Sequence, residues 1–223
     1  MRTRIKICGL TREEDILAAA DAGADAIGMV FYPRSKRSLS PARAAELRRV
    51  VPPLVSVVAL FVNASEQEIE QVRQAVRPDW LQFHGDETPQ QCRAAGLPYW
   101  RAFRVGAPGP DTPAALAAAC QAYEDAGAWL FDSYSAGYGG SGLAFDHGLL
   151  RELPAQRRRH LVLSGGLTAQ TVRQAILRSR PWAVDVSSGV ESAPGIKSAE
   201  KIQAFVAQVR AADESLRAGS APA

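Results

Sequence analysis

Two side chains of this sequence, the thiol of Cys8 and the carboxyl group of Asp132, could together perform acid–base chemistry. Cys8 ends a short β-branched run, and Lys6 would lie on the same side of a strand because residues two apart point the same way. A nearby ammonium group favours the thiolate, which is the form that acts as a base or nucleophile. Cys92 and Cys120 fall in helical segments and are interpreted as small buried apolar side chains.

Asp132 directly follows the apolar run Trp129–Phe131, which indicates that its carboxyl group is partly buried. Burial disfavours the charged form and would raise the pKa of the carboxyl group, so that Asp132 could donate a proton. A helix-capping or ion-paired carboxylate is the alternative interpretation. We therefore predict that Cys8 is a general base and Asp132 a general acid.

Two glycine-containing loops predict a phosphate site. One covers residues 164–166 and the other residues 185–189, and each directly follows an apolar strand candidate. Glycine lets the backbone amides approach a ligand closely, and hydroxyl groups add further donors. In a (β/α)8 barrel the loops after strands 7 and 8 are the usual phosphate-binding place, so ordinary glycine turns are the less favoured interpretation. The predicted phosphate ligands are Gly165, Gly166, Asp185, Ser187, Ser188 and Gly189.

A third glycine-rich segment, Gly137–Gly142, matches the G-x-G-x-x-G pattern of dinucleotide sites. In such sites the glycines directly follow a strand, and an acidic residue ends the next strand. Here several residues separate Asp132 from Gly137, and the next strand ends in Ser164. We therefore predict a mobile loop that covers the substrate and no nicotinamide site.

The elements that must position these groups alternate between short apolar runs and longer helical stretches. Eight such units favour a closed α/β architecture, a single-domain (β/α)8 TIM barrel, over a doubly wound open sheet. In this fold the active site lies at the C-terminal ends of the strands, where Gln82 and His84 add polar side chains on one side of strand 4. The predicted strands are Ile5–Cys8, Ala26–Phe31, Ser56–Phe61, Trp80–Phe83, Tyr99–Phe103, Trp129–Phe131, Leu161–Leu163 and Ala183–Val186.

Helix boundaries are predicted from capping signals. A capping box pairs Thr11 with Glu14, another pairs Ser65 with Glu68, and Ser40 precedes a proline at the first helical position. Glycine favours the left-handed C-terminal cap, so Gly23, Gly96 and Gly127 mark predicted helix ends. The last helix is predicted over Ala199–Arg210. The barrel then covers residues 1–211, and residues 212–223 form a frayed tail.

Composition excludes several classes of function. The chain has 223 residues, 47% hydrophobic, and its net charge of +3 is too small and scattered to indicate a nucleic-acid partner. No run approaches the roughly 18 apolar residues of a membrane span. Three widely spaced cysteines fit neither a disulfide framework nor a zinc site. We predict a cytoplasmic protein with a phosphorylated small-molecule ligand, a monomer or alternatively a homodimer.

Several segments together make the sequence similar to phosphoribosylanthranilate isomerases. The resemblance runs in order from Ile5 to about Phe205, and the segment 185–191 with the following 194–197 is its most specific part. The matching segments are Lys6–Thr11, Leu81–Glu87, Asp132 before Gly139–Gly142, Leu163–Leu167, Asp185–Glu191 and Pro194–Lys197.

The resemblance implies an Amadori rearrangement of tryptophan biosynthesis. N-(5-phosphoribosyl)anthranilate becomes 1-(2-carboxyphenylamino)-1-deoxyribulose 5-phosphate without cofactor or metal. Asp132 takes the place of the family's acid and Cys8 that of its base, which agrees with the interpretation of the residues themselves. An arginine that interacts with the anthranilate part corresponds to Arg37, although Arg34 and Lys36 stand close by in the same loop. Gln82 and His84 are further candidate substrate contacts.

Two alternatives stay open at the level of sequence. Another phosphosugar enzyme on the same barrel, such as an isomerase of histidine biosynthesis, is expected to have an aspartate where Cys8 stands. Indole-glycerol-phosphate synthase is expected to place lysine and glutamate at strand ends, whereas Lys6 lies inside its strand. A non-catalytic phosphosugar-binding protein could keep the two glycine loops and dispense with Cys8 and Asp132. The presence of both residues disfavours that alternative.

Overall fold

The computed structural model describes residues 2–106, 110–133 and 146–219. Eight parallel strands close into a barrel in sequence order, and β8 pairs with β1. All eight predicted strands are present, four of them with slightly different ends. The strands are β1 Arg4–Cys8, β2 Ala26–Val30, β3 Ser56–Phe61, β4 Trp80–Phe83, β5 Tyr99–Val105, β6 Ala128–Ser133, β7 Leu161–Leu163 and β8 Ala183–Val186; an antiparallel hairpin follows, β9 Glu191–Ala193 and β10 Ile196–Lys197.

Helices connect the strands and cover the outside of the barrel. Between β6 and β7 the described residues form two 3₁₀ helices, His147–Leu150 and Ala155–His160, where a helical segment was predicted. A third 3₁₀ helix, Ser188–Val190, follows β8. The α-helices are α1 Glu13–Asp21, α2 Pro41–Arg48, α3 Glu66–Val76, α4 Pro89–Ala94, α5 Pro113–Gln121, α6 Val172–Ser179 and α7 Ala199–Ala218. None of the helices within the described ranges combines the length and the apolarity that a membrane crossing needs.

Alternation along the strands divides the core into two parts. On β1, Ile5 and Ile7 pack outward into the large cluster between strands and helices, whereas Lys6 and Cys8 point into the barrel. Smaller clusters fill the inside, one that includes Leu130 and one that includes Cys8. Because the inner residues at the C-terminal strand ends face one another across the barrel, polar residues of the right parity meet there.

Several predicted caps are confirmed and others are wrong. Ser40 caps α2 before a proline, and Ser65 forms the full capping box of α3. Thr11 does not cap α1, because that helix begins at Glu13 and the Thr11 hydroxyl donates to the carbonyl of Gly195 instead.

The glycine signals are confirmed in part. Gly23 and Gly96 have the positive φ of a helix end, with values of 93° and 71°. Gly127 does not mark such an end, since it precedes β6 directly and its missing Cβ leaves room for the Trp80 ring.

The predicted tail from residue 212 onward is wrong for its first seven residues. Helix α7 continues to Ala218, and both Ala212 and Asp213 are buried. The Asp213 carboxylate accepts hydrogen bonds from the backbone amide of Thr3, at 3.0 Å, and from its hydroxyl, at 2.6 Å. This contact with the segment that leads into β1 gives the last turns of the helix a tertiary anchor.

Candidate active site

The predicted site residues come together in one cavity at the C-terminal end of the barrel. The cavity opens between the ends of β1, β6, β7 and β8, as the strand parity predicts. Loop Gly137–Gly142, which was predicted to cover it, lies outside the described residues. The lining of the cavity includes all eleven predicted site residues: Cys8, Arg37, Gln82, His84, Asp132, Gly165, Gly166, Asp185, Ser187, Ser188 and Gly189.

Cys8 ends β1 with its side chain in the cavity wall and is 5% exposed. Its neighbour across the β1–β2 pair is Gly28, where a Cβ atom would come within 2.7 Å of the Cys8 Sγ atom. A glycine at this position of β2 therefore makes the space that the thiol occupies. The Cys8 carbonyl is fixed by the hydroxyl of Ser187, which donates to it over 3.0 Å.

Lys6 lies one layer below Cys8 inside the barrel and is 1% exposed. Its ammonium group donates to the Asp185 carboxylate over 2.8 Å. Burial raises the pKa of the Cys8 thiol, and Asp185 raises it further, while Lys6 lowers it. The predicted effect of Lys6, which favours the thiolate, is present, but burial outweighs it and the net pKa of the Cys8 thiol lies above its ordinary value. The lowering of the thiol pKa by Lys6 is partly offset, because the positive charge of Lys6 is paired with the negative charge of Asp185.

Asp132 extends from β6 into the cavity and is 8% exposed. The Nε2 atom of His84 lies 3.3 Å from its Oδ2 atom, and Gln82 Nε2 lies 3.4 Å from His84 Nδ1. Within the described part of the chain, the Gln82 Oε1 and His84 Nε2 atoms are buried without a hydrogen-bond partner. The contact of His84 Nε2 with Asp132 has the distance of an ion pair without the geometry of a hydrogen bond. Buried polar atoms are costly unless they are satisfied, so Gln82 Oε1 is suited to meet a polar ligand in this cavity.

The β7 loop packs tightly against the end of β6. Gly165 and Gly166 have φ values of 82° and 65°, in the left-handed region that glycine adopts without strain. A Cβ atom at Gly165 would lie 2.5 Å from the Ser133 amide nitrogen and 2.9 Å from the Asp132 Oδ1 atom. The glycine loop is therefore in direct contact with the residue predicted to be the acid.

The β8 loop completes this side of the cavity with Ser187, Ser188 and Gly189. Gly189 packs against the carbonyl of Leu167 so closely that no side chain would fit there. Asp185 lies deeper, and its second carboxylate oxygen accepts from the Ser164 hydroxyl over 3.2 Å. Because this carboxylate is engaged below and would repel a phosphate, we do not retain it as a direct phosphate ligand.

Among the three candidate cations of the β2 loop, Arg37 is the one that lines the cavity. Arg34 and Lys36 are exposed, and the Arg34 guanidinium lies 5.8 Å from the Tyr32 ring centroid. The Arg37 guanidinium donates through Nε and Nη2 to the two carboxylate oxygens of Glu191, both over 2.7 Å. The pKa of the Arg37 guanidinium is raised, and the hydrogen-bonded Glu191 carboxylate is the largest cause.

Sequence reasoning missed two groups of residues around the cavity. Glu191 and Lys197 stand in the segment that carries the resemblance, but no role was predicted for them. An apolar wall was also missed, although its residues lie at the cavity-facing parity of β2 and β3, and that parity could have revealed them. The wall consists of Val30, Tyr32, Leu60 and Val62.

Comparison with known proteins identifies the family of this chain. The model of the N-(5'-phosphoribosyl)anthranilate isomerase family matches residues 5–208. A protein of that name from Bordetella parapertussis is 62% identical over 218 residues, which cover 97% of this chain and 100% of the relative. The corresponding protein of Methylibium petroleiphilum is 52% identical over 218 residues, 98% of this chain and 99% of the relative.

Solved structures of phosphoribosyl anthranilate isomerases have a closely similar fold. The Thermus thermophilus phosphoribosyl anthranilate isomerase superposes with a TM-score of 0.81 at 35% identity, covering 94% of this chain and 99% of the other. A phosphoribosyl anthranilate isomerase in complex with reduced 1-(o-carboxyphenylamino)-1-deoxyribulose 5-phosphate gives a TM-score of 0.79, with the same identity and coverage. The chain therefore belongs to the N-(5'-phosphoribosyl)anthranilate isomerase family, the enzymes that perform the Amadori rearrangement in tryptophan biosynthesis.

Proposed function

We propose that Cys8 and Asp132 carry the two proton transfers by which this chain isomerises N-(5-phosphoribosyl)anthranilate. The observation that carries the proposal is their placement in one cavity on either side of the glycine loops. In the barrel β7 and β8 lie between β6, which bears Asp132, and β1, which bears Cys8. A phosphate held by the two loops leaves the ribose between the acid and the base.

The acid step opens the ribose ring. Asp132 donates a proton to the ring oxygen as the bond from that oxygen to C1 breaks, and the nitrogen lone pair forms a Schiff base. His84, 3.3 Å from the Asp132 carboxylate, is in position to orient this group. General acid catalysis of this kind contributes about 10²–10⁴-fold to a rate.

The base step moves the double bond. Cys8 acts through the thiolate fraction that remains despite its raised pKa. This thiolate takes the proton from C2, and the electron pair flows toward the nitrogen to give an enolamine. Ketonisation then releases the C2 hydroxyl proton and adds a proton at C1, so the product is an isomer of the substrate. Both steps use protein side chains alone, and we propose that no cofactor takes part.

The remaining lining residues hold the substrate. Gly165, Gly166 and Gly189 allow close approach to the phosphate, while Ser187 and Ser188 provide hydroxyl donors. Arg37 is placed to meet the anthranilate carboxylate. We propose that the buried atom Gln82 Oε1 is satisfied by a hydroxyl or amine group of the ligand, because no described protein group satisfies it.

Two substitutions test the assignment of acid and base. Cys8→Ser and Asp132→Asn are each expected to lower kcat by about 10²-fold or more, because each removes a proton-transfer group. Affinity for the reduced product analogue should stay within a few-fold of wild type in both variants. Steady-state fluorescence of the anthranilate substrate measures turnover, and isothermal titration calorimetry measures binding.

Matched controls are available among the other cysteines. Cys92 and Cys120 are also buried thiols but lie in α4 and α5, away from the cavity. Cys92→Ser and Cys120→Ser should therefore keep wild-type turnover even if stability falls. Wild-type turnover in Cys8→Ser or Asp132→Asn would refute the assigned roles.

We further propose that the protein acts in the cytoplasm as a monomer with a phosphorylated small molecule as its partner. Only four large apolar side chains in the described residues are exposed, which leaves little apolar surface for a dimer interface and supports a monomer. They are Leu17, Leu54, Leu177 and Ile196. Both states occur in a known relative, since one solved Thermotoga maritima structure is of monomers made from a dimeric enzyme. Light scattering coupled to size exclusion distinguishes the two states.

A further inference from the structure

The hairpin formed by β9 and β10 carries two buried charged side chains to which the proposed reaction gives no role, and they form an ion cluster with an arginine of the β2 loop. The cluster consists of Arg37, Glu191 and Lys197, and we refer to it as the Glu191 cluster. The side chain of Glu191 is 7% exposed and that of Lys197 is 0% exposed. Burying the two charged groups of Glu191 and Lys197 is costly, so their arrangement calls for a role beyond closing a two-stranded hairpin.

Glu191 holds the Arg37 guanidinium along one defined edge. Its Oε1 atom accepts from Arg37 Nε and its Oε2 atom from Arg37 Nη2, both over 2.7 Å. Such a two-point contact fixes the plane of the guanidinium as well as its position. Arginine has five N–H donors, and among the residues that the structure describes no protein group accepts from Nη1, so this edge can meet another acceptor.

The aliphatic part of Arg37 is fixed as well. It lies over Gly9, where an added Cβ atom would collide with the Arg37 Cδ atom and lie 3.2 Å from Cγ. Gly9 directly follows Cys8, so the arginine crosses the cavity wall beside the proposed base. The position of its free edge relative to the reacting atoms therefore depends on Glu191 at one end and Gly9 at the other.

Lys197 ties this arrangement to the phosphate side. Its ammonium group donates to Glu191 Oε1 over 2.9 Å, to the Ser187 carbonyl over 3.1 Å and to the Ser187 hydroxyl over 3.3 Å. The same hydroxyl donates to the Cys8 carbonyl. The cluster has two cations for one carboxylate, so it leaves one positive charge beside the cavity, which is complementary to an anionic ligand group.

We propose that Glu191 is a positioning residue that aims the free edge of Arg37 at the carboxylate of the substrate's aromatic ring. Glu191 would thereby set the preference for a 2-carboxyphenyl group over an unsubstituted phenyl group. The inference rests on the proposed function, because it takes Arg37 as the contact to the anthranilate part. Glu191 itself does not contact the substrate and acts by holding Arg37.

A pair of ligands separates this role from a structural one. The first ligand is reduced 1-(o-carboxyphenylamino)-1-deoxyribulose 5-phosphate, and the second is the same molecule without the ring carboxylate. Glu191→Gln retains the size of the side chain but loses the charge and one acceptor of the two-point contact. We expect it to weaken binding of the first ligand about 10-fold or more and that of the second less than about 2-fold.

The Arg37→Met background provides the second measurement. In that background no guanidinium remains to be aimed, so Glu191→Gln should change the affinity for either ligand no further. Glu46→Gln is the matched control, because Glu46 also pairs with an arginine, Arg43, over 2.7 Å but on the exposed surface of α2. That variant should bind both ligands like wild type.

Glu191→Asp covers the case in which Glu191→Gln does not fold. It keeps the negative charge between the two cations but withdraws the carboxylate from the arginine, so the same selective loss is expected with a smaller fall in Tm. Equal weakening of both ligands, or a full effect in the Arg37→Met background, would overturn the proposal. A wild-type protein that binds both ligands equally would instead overturn the assignment of Arg37, and Glu191 would have no specificity to set.

Discussion

Replacing Gly165 with alanine tests whether the contact between the β7 loop and the end of β6 is needed for turnover. Gly165 has a φ of 82°, and an added Cβ atom would lie 2.5 Å from the Ser133 amide nitrogen. The same atom would lie 2.9 Å from Asp132 Oδ1. The substitution therefore introduces backbone strain and a steric overlap at once, and the two effects must be separated.

Gly23→Ala separates them, because the chain has a second glycine with nearly the same conformation. Gly23 has a φ of 93° at the end of α1, and an added Cβ atom would meet nothing within 4 Å. This control carries the strain without the overlap. Placing alanine in the left-handed region costs about 1–2 kcal/mol. For a chain of this size that corresponds to a fall in Tm of roughly 2–8 °C.

The overlap at Gly165 sets the expected loss of activity. Ordinary van der Waals contact begins at 3.4 Å, so a Cβ atom 2.5 Å from the Ser133 nitrogen requires the loop and β6 to separate by about 0.9 Å. Because the overlapping atom belongs to the backbone next to Asp132, the displacement reaches the proposed acid. A misplacement of about 1 Å can cost about 10²-fold in rate. We expect kcat/KM of Gly165→Ala to fall by about that factor.

The assay compares the two variants side by side. Initial rates from substrate fluorescence give kcat/KM, and thermal unfolding gives the change in Tm under the same buffer conditions. We expect both variants to lose stability, but only Gly165→Ala to lose turnover. If Gly165→Ala retains the activity of Gly23→Ala, the close packing of the glycine loop on Asp132 is not required for catalysis.

Two further predictions follow from the inside of the barrel. Burial raises the pKa of the Cys8 thiol above its ordinary value of 9.0, so its alkylation by iodoacetamide, measured by mass spectrometry, should still increase above pH 9.0; a plateau below that pH would contradict the expected burial effect. The same shift favours the neutral thiol in the folded state, so its contribution to stability is present below the pKa of the unfolded chain and is lost as pH rises through the folded value. Lys6→Met leaves the Asp185 carboxylate buried without its cation and should cost about 3–5 kcal/mol of unfolding free energy in urea titrations. A loss under about 1 kcal/mol would show that the pair behaves like an exposed one.

Local signals were sufficient to predict the barrel and much of its site. Short β-branched runs alternate with capped helical stretches, and this pattern needs only neighbouring residues to be recognised. Strand parity placed Lys6 with Cys8 and Gln82 with His84, because side chains two apart necessarily share a face. The same local reasoning failed for Thr11, whose hydroxyl has a distant partner in Gly195.

Helix α7 shows how a distant contact changes a local prediction. An alanine-rich end with a small polar tail is typical of fraying, and the sequence after residue 211 has that composition. The structure continues the helix to Ala218, where Asp213 accepts from Thr3 across 210 positions of sequence. Sequence reasoning could not anticipate that anchor, because it exists only when the last helix returns beside β1.

Local composition and periodicity were enough to predict the eight strands, the glycine loops and the candidate residues Cys8 and Asp132. Tertiary structure decided the partners. Closure of β8 onto β1 brings Lys6 to Asp185 across 179 positions, and the hairpin after β8 brings Glu191 to Arg37 across 154. The protonation preference of Cys8 was also decided there, because desolvation depends on every group that surrounds the thiol. Local pattern thus points to the proposed acid and base, whereas the closed barrel sets their charge environment and the orientation of Arg37.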